Sequence, residues 1–310
     1  MPRLYWAAMF AVGDVRPYPL SGSPRWYWHP YNRVAFYRIA EVCGRLPRRA
    51  RLTVARRLGW LAPRFMPAER AVVRATLATI TGADGGRLDR LTVRVFQDFA
   101  ACFSDLVTTN RQAAARLLRY VSSVSESPIL EASAGVVSVT AHVGNWEMAG
   151  RLLAGRTARR THVVVAPEEV AGLERWVRRD GDGVRFVARG PVAIGVELVA
   201  ALRRGEVVAL QGDRAIGTQG DLLIPFFGRP APFPLGPFIL ARAAGVPVVA
   251  AFCLLDRDDR YTVRIAPPLT VARGEEADAA RRWVALLEDV VREHPTQWFN
   301  FFDVWRPFGP

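Results

Sequence analysis

The sequence contains no lysine, only three cysteines and only four histidines in 310 residues. Cys43, Cys102 and Cys253 share no short spacing and cannot all pair. That speaks against a disulfide scaffold or a cysteine metal centre and points to a reducing compartment. No second histidine stands at ligand spacing from any other, so no metal is expected. The apolar runs Leu4–Val12 and Ala243–Leu255 are both shorter than the roughly 20 residues a spanning helix needs. The N-terminus also lacks the pattern of a signal peptide, having one arginine, a short apolar stretch and an early Asp14. No GxSxG elbow is present, and no Ser or Cys adjoins the histidine singled out below, so a nucleophilic side chain of that kind is not expected. RNP and zinc-finger signatures are missing as well, which argues against a nucleic-acid partner.

What is present belongs to a folded globular chain: half of the residues are hydrophobic and 23% are charged. All 42 basic residues are arginine, and the net charge is +13. The excess is localised, because residues 1–100 hold 17 Arg against 6 Asp and Glu. A basic segment of this kind attracts an anionic partner such as lipid headgroups or an acidic protein. Residues 1–37 add Tyr5, Trp6, Phe10, Tyr18, Trp26, Tyr27, Trp28, Tyr31, Phe36 and Tyr37. Trp and Tyr interleaved with Arg suit a membrane–water interface. The same composition also suits an aromatic lid over a core, with the basic residues solvated. A peripheral protein on the cytoplasmic face of a membrane, without a transmembrane helix, is the expectation.

Three regions follow from the pattern: an aromatic and arginine-rich segment (1–35), a helical region (36–125) and an α/β core (126–310). Pro67 opens a helix that stops near Gly82. Leu88, Leu91, Val95, Phe99, Phe103 and Leu106 repeat at helical spacing. Leu52, Ala55 and Leu58 among Arg51, Arg56 and Arg57 read as a basic amphipathic helix, equally suited to lipid or to an ordinary surface. Beyond residue 130, β-branched runs at Val136–Thr140, His162–Ala166, Val184–Ala188, Val207–Leu210, Val246–Leu254 and Tyr261–Ile265 alternate with helical stretches at about 146–155, 169–179, 191–204, 234–244 and 276–293. This alternation predicts an α/β fold whose mixed sheet is covered by helices on both faces, with the N-terminal helical region packed on it.

Among the histidines, His29, His162 and His294 sit in contexts that call for no chemistry. His142 differs, because it closes a predicted strand at a strand-to-helix corner, where ligand sites of α/β folds gather. Glu147 follows five residues later, in the first turn of the next helix. A tight turn through Gly144 and Asn145 could return that carboxylate to one imidazole nitrogen and leave the other to accept a proton. Glu in a first helical turn also has a purely electrostatic reason to be there. Asp213 and Arg214 end another predicted strand, on the same sheet edge if the strands run parallel. They suit either a phosphate or thioester contact or a structural ion pair. Phe226-Phe227-Gly228-Arg229 joins an apolar wall to a cation, as an acyl chain with an anionic head would require, or as a β-turn would supply.

The segment His142-Val-Gly-Asn-Trp-Glu147 resembles the HX4D/E motif of bacterial lysophospholipid and lipid A acyltransferases. It is most similar to the branch holding the lauroyl/myristoyl acyltransferases of lipid A biosynthesis and the mycobacterial phosphatidylinositol mannoside acyltransferases. Gln211-Gly-Asp-Arg214 and Ile224-Pro-Phe-Phe-Gly-Arg-Pro230, leading into Pro234-Leu-Gly-Pro237, continue the resemblance in order over roughly residues 35–305. The resemblance implies a glycerol-phosphate acyltransferase-like core. The implied activity is transfer of a fatty acyl group from an acyl carrier protein or coenzyme A thioester to a hydroxyl of a lipid or glycolipid, with no other cofactor. It also implies a His142–Glu147 general-base dyad and substrate contacts from Asn145, Asp213, Arg214, Phe227, Gly228 and Arg229. Relatives in lipid A biosynthesis usually begin with a strongly hydrophobic helix, whereas this chain has arginine and aromatics. Its tail, Gln297-Trp-Phe-Asn-Phe-Phe-Asp-Val-Trp305, looks closer to acyltransferases of aryl polyene or other specialised lipid pathways. A thioesterase and a non-catalytic membrane-binding homologue are the alternative readings.

Overall fold

The computed structural model describes residues 42–109, 112, 114–157, 159–165, 183–188, 192–215, 217 and 220–306. The N-terminal aromatics, His29 and the predicted helix at 169–179 lie outside the described residues. Three long helices come first: α1 (Arg48–Phe65), α2 (Pro67–Thr81) and α3 (Gly85–Thr109). Pro67 occupies the opening turn of α2, where its missing N–H costs nothing, and Gly82 closes the helix in the left-handed conformation. Along α3 the fully buried face includes Leu88, Val95, Phe96, Ala101, Cys102 and Leu106, but also the polar Thr92, Asp98, Asp105 and Thr109. Leu91, Phe99 and Phe103 of the expected stripe are half-buried at its margin. α1 lies directly on α3, and a Cβ at Gly59 would meet the carbonyl oxygen of Phe96 at 2.6 Å. No larger residue fits at this crossing without moving backbone.

Nine strands follow among the described residues: β1 (Val121–Val124), β2 (Val136–Thr140), β3 (Thr161–Val165), β4 (Val184–Ala188), β5 (Val207–Gln211), β6 (Asp221–Phe226), β7 (Arg229–Pro234), β8 (Val248–Leu255) and β9 (Tyr261–Ile265). Seven form one sheet in the order β1-β9-β8-β2-β5-β3-β4. Strands β8, β2, β5, β3 and β4 run parallel, and β9 returns antiparallel to β8 with β1 alongside it. The sheet is therefore mixed, as the alternation of elements predicted. β1 was not expected, being a short, half-exposed edge strand.

The other helices among the described residues are α4 (Trp146–Arg156), α5 (Val192–Arg203), α6 (Gly236–Ala244) and α7 (Glu276–Glu293), besides short helical turns. Because side chains alternate along a strand, β2 presents different residues to its two faces. Ser138 and Thr140 line a crevice with Ala149, Gly150 and Leu153 of α4. On the opposite face Trp283 of α7 lies against Val139 and Gly212 and donates its indole N–H to the Val139 carbonyl at 3.2 Å.

β6 and β7 form a separate two-stranded ribbon where the sequence suggested only a turn. Its prolines (Pro225, Pro230, Pro232 and Pro234) all fall in alternate cross-strand pairs. Those must be the pairs that exchange no N–H···O bonds, so a proline-rich ribbon remains possible. Phe227 and Gly228 close it, both with positive φ (50° and 74°), the geometry of a type I′ hairpin turn.

Candidate active site

Parallel pairing of β2 and β5 sets Thr140 beside Gln211. Two residues beyond each strand, His142 and Asp213 therefore emerge at the same edge of the sheet, outside the carboxyl ends of its central strands. His142 is 8% exposed and Asp213 3%. The imidazole Nδ1 lies 2.8 Å from Asp213 Oδ1, and the His142 backbone N–H donates to Oδ2 at 2.9 Å. The indole N–H of Trp298 also donates to Oδ2, at 3.1 Å. Burial alone would push the Asp213 carboxyl up. The positive charge available on His142, its two hydrogen bonds and the Arg214 guanidinium outweigh burial and hold it well below the usual carboxylate range. Asp213 is thus an anion, and its partner at Nδ1 carries the N–H.

The ring nitrogen is therefore held by a carboxylate 71 residues away in sequence, where the spacing had suggested Glu147. Glu147 itself stands in the first turn of α4. It lines the crevice between that helix and the sheet together with Thr140, Trp146, Arg151 and Gln211. Trp146 meets the His142 ring edge-on, with centroids 4.9 Å apart.

The loop from His142 to α4 is fixed by its backbone. Gly144 has φ 58°, and a Cβ there would lie 2.0 Å from the Cys253 carbonyl oxygen. Its N–H donates to the Gln297 carbonyl, and that of Asn145 to the Cys253 carbonyl. Asn145 is the helix cap: its Oδ1 accepts from the Met148 N–H at 3.3 Å. Its Nδ2 points the other way, toward the Cys102 carbonyl and the Tyr261 hydroxyl. Tyr261 in turn donates to Asp105 at 3.0 Å, and Asp105 also receives Arg48 and Arg51 from α1. Burial, with Cys102 and Asp105 adding to it, pushes the Tyr261 phenol well up, so it stays a donor. Asn145, expected to touch substrate, thus caps α4 and ties it to Cys102 and Tyr261.

The C-terminal strap was read only for its resemblance, yet it completes the site. Gln297 brackets Leu255 with both amide atoms, at 2.8 and 2.7 Å. Trp298 bridges Val143, and the Phe299 N–H donates to the His142 carbonyl at 2.8 Å. The Phe299 carbonyl accepts from Arg214 Nη2 at 3.3 Å, and the Arg214 guanidinium lies over the Phe302 ring. A tail dense in aromatics with one glutamine among them was the signal available. Of the remaining expected contacts, the Phe227 N–H is bonded to Glu288 and its ring faces Arg292. Arg229 lies over the Trp305 ring and reaches Thr79 at 3.5 Å. Phe227 and Arg229 are thus engaged with α7, α2 and the tail, and a Cβ at Gly228 would meet nothing within 4 Å. It is Phe226, 5.2 Å from the Trp298 ring, that joins the ribbon to the site.

The family profile of the bacterial lipid A biosynthesis acyltransferases matches residues 27–307. The chain belongs to that family. Among characterised relatives, phosphatidylinositol mannoside acyltransferases from two strains of Mycobacterium tuberculosis are 26% identical over 208 residues, 64% of this chain and 64% of each relative. The protein of the same name from Mycolicibacterium smegmatis is 24% identical over 182 residues, 57% of this chain and 58% of its own. The matched region thus spans a little under two thirds of these relatives' length. His162 and His294, read as structural, each lie beside an acidic side chain. His162 bonds Glu206 at 2.6 Å at the opposite end of the sheet, and His294 lies beside Arg264 and Glu293.

Proposed function

We propose that this protein transfers a fatty acyl group from a thioester of coenzyme A or an acyl carrier protein to a hydroxyl of a membrane lipid or glycolipid. The observation that carries this reading is the buried Asp213–His142 bond at Nδ1. It leaves Nε2 as the basic nitrogen. The acceptor hydroxyl attacks the thioester carbonyl, a C–O bond forms, and its proton passes to Nε2. The intermediate then collapses with loss of the C–S bond, and the imidazolium returns the proton to the departing thiolate. Asp213 stabilises the imidazolium between the two steps. Glu147, at the opening of α4, is suited to position the acceptor. The names of the mycobacterial relatives favour a glycolipid acceptor.

A membrane-bound acceptor also gives a role to the outer face of α1. Leu52, Ala55, Gly59 and Pro63 face inward, while Val54, Leu58, Trp60, Leu61 and Phe65 are exposed, Phe65 by 79% and Leu58 by 62%. Arg49, Arg57 and Arg64 are exposed among them, and the helix contains no acidic residue. An apolar stripe flanked only by cations suits the surface of an anionic bilayer. No helix among the described residues is long and apolar enough to cross one.

The test is an assay of the purified protein with acyl-coenzyme A and acyl carrier protein thioesters, with and without a lipid extract. An acylated lipid product that disappears in His142→Ala supports transfer. Release of free fatty acid at the same rate with and without lipid would favour a thioesterase, and no turnover of either donor would overturn the reading.

A further inference from the structure

Asn300 follows directly on the strap residue that touches both His142 and Arg214. It is 2% exposed, and among the described residues neither its Oδ1 nor its Nδ2 has a hydrogen-bond partner. Its chain neighbours are packed aromatics: Phe299 meets Phe99 at 5.3 Å, and Phe301 meets Phe96 and Phe99 at 5.4 and 5.2 Å. An unmet buried polar atom costs about 1–3 kcal/mol, and a leucine of similar size would avoid that cost. A carboxamide in this position keeps both of its hydrogen-bonding atoms available to a bound ligand.

We propose that the Asn300 carboxamide is a specificity-determining contact for the donor, pairing with an amide of its pantetheine arm. This rests on the acyl-transfer reading above. The ligand must supply both a donor and an acceptor. A thioester carbonyl only accepts and would leave Oδ1 unmet. The attacking hydroxyl commits its proton to His142 and would do the same; the other hydroxyls of a glycolipid both donate and accept, and the acceptor's KM in the test below distinguishes them. Phosphate accepts only, and a neutral amide offers it no charge. A secondary amide presents N–H and C=O in one plane and matches both atoms. Pantetheine, shared by coenzyme A and the carrier protein, carries such an amide one ethylene unit from its sulfur. Asn300 adjoins Phe299, whose N–H binds the His142 carbonyl.

The substrate-side test compares two thioesters of the same fatty acid on the intact wild-type chain. One is the N-acetylcysteamine thioester, which keeps the amide nearest the sulfur; the other is an alkyl thioester of equal length without it. The amide-bearing donor is expected to have a kcat/KM higher by about 5- to 100-fold, the range one buried hydrogen-bonding group gives. In Asn300→Leu that preference should vanish, with KM for the thioester raised, KM for the acceptor unchanged, and a melting temperature equal to or above wild type. Equal kcat/KM for the two thioesters in the wild type overturns the proposal even if the variant does not fold. So does a rise in the acceptor's KM instead of the donor's, which would move the contact to the lipid. So, too, does a variant that melts lower with unchanged kinetics, which would mean a structural amide. If the wild type turns over neither thioester nor the full coenzyme A and carrier-protein donors, it is the acyl-transfer reading that fails.

Discussion

Asp213 grips His142 twice, once at the backbone N–H and once at the ring, and Trp298 closes the carboxylate from the far side. Such a carboxylate fixes the tautomer and stabilises the imidazolium. Asp213→Asn should therefore lower kcat/KM by about 10²–10⁴, comparable to His142→Ala. The double variant should fall little further than either single one, since the two act as a unit. Glu147→Gln separates the two carboxylates. If it abolishes turnover while Asp213→Asn retains most of it, the general-base pair is His142 with Glu147 after all.

The edge of the sheet where this chemistry sits was legible in the sequence; the partnership was not. Val136–Thr140 and Val207–Leu210 both read as buried strands, and residues just beyond them were the natural candidates. Which carboxylate meets His142 depends on β2 and β5 being adjacent, parallel and in register at Thr140 and Gln211. That is a non-local fact that spacing cannot contain, and Glu147 was favoured by the resemblance of the His142–Glu147 segment to the HX4D/E motif. Trp298 was missed for the same reason, as its role needs the chain to return across the site 85 residues after Asp213. The ribbon of β6 and β7 was hidden by its prolines, which weaken any strand signal unless the pairing pattern is known. Phe227 illustrates a further limit: a bulky residue with positive φ is not predictable from propensity. Here Glu288 holds its N–H.

The low pKa of Asp213 has a consequence for stability. A carboxyl held lower in the folded chain than in the unfolded one binds fewer protons when folded. Its contribution is fully present above the unfolded value of about 3.9 and is lost as pH falls toward the folded value. The stability difference between wild type and Asp213→Asn should shrink as pH falls below about 4, the unfolded carboxyl value. Urea midpoints of both proteins from about pH 5 downward would show it, and a difference that grows below about pH 4 would contradict the assignment.

Asp105 carries Arg48, Arg51 and Tyr261 with no exposure of its own side chain, and Tyr261 passes the network on to the Asn145 cap. Asp105→Ala would leave two guanidinium groups and a phenol without their anion, at a cost of about 3–5 kcal/mol. Tyr261→Phe removes one donor and leaves the Asn145 amide short of an acceptor, at about 1–3 kcal/mol. Denaturant titration should rank the two in that order. An Asp105→Ala protein as stable as wild type would mean the network is not coupled to folding.

The same network decides which arginines can meet a membrane. Of the basic residues of α1, Arg48 and Arg51 are committed to Asp105, and Arg56 to Asp259. Replacing these three should damage the fold before it touches lipid binding. Arg49, Arg57 and Arg64 are the outward cations, each worth about 1 kcal/mol near an anionic surface. The apolar stripe adds a part of the attraction that salt does not screen. Changing Leu58, Leu61 and Phe65 to Gln should leave the melting temperature near wild type, because none of the three is buried. Binding to anionic vesicles at about 0.3 M salt, where the Debye length falls below 8 Å, should nevertheless drop to near background. Arg49→Gln with Arg57→Gln should instead weaken binding mainly at low salt. Co-sedimentation of both variants with vesicles of matched anionic and neutral composition reads the two contributions separately. If the triple apolar variant still binds at high salt, α1 is not the docking face.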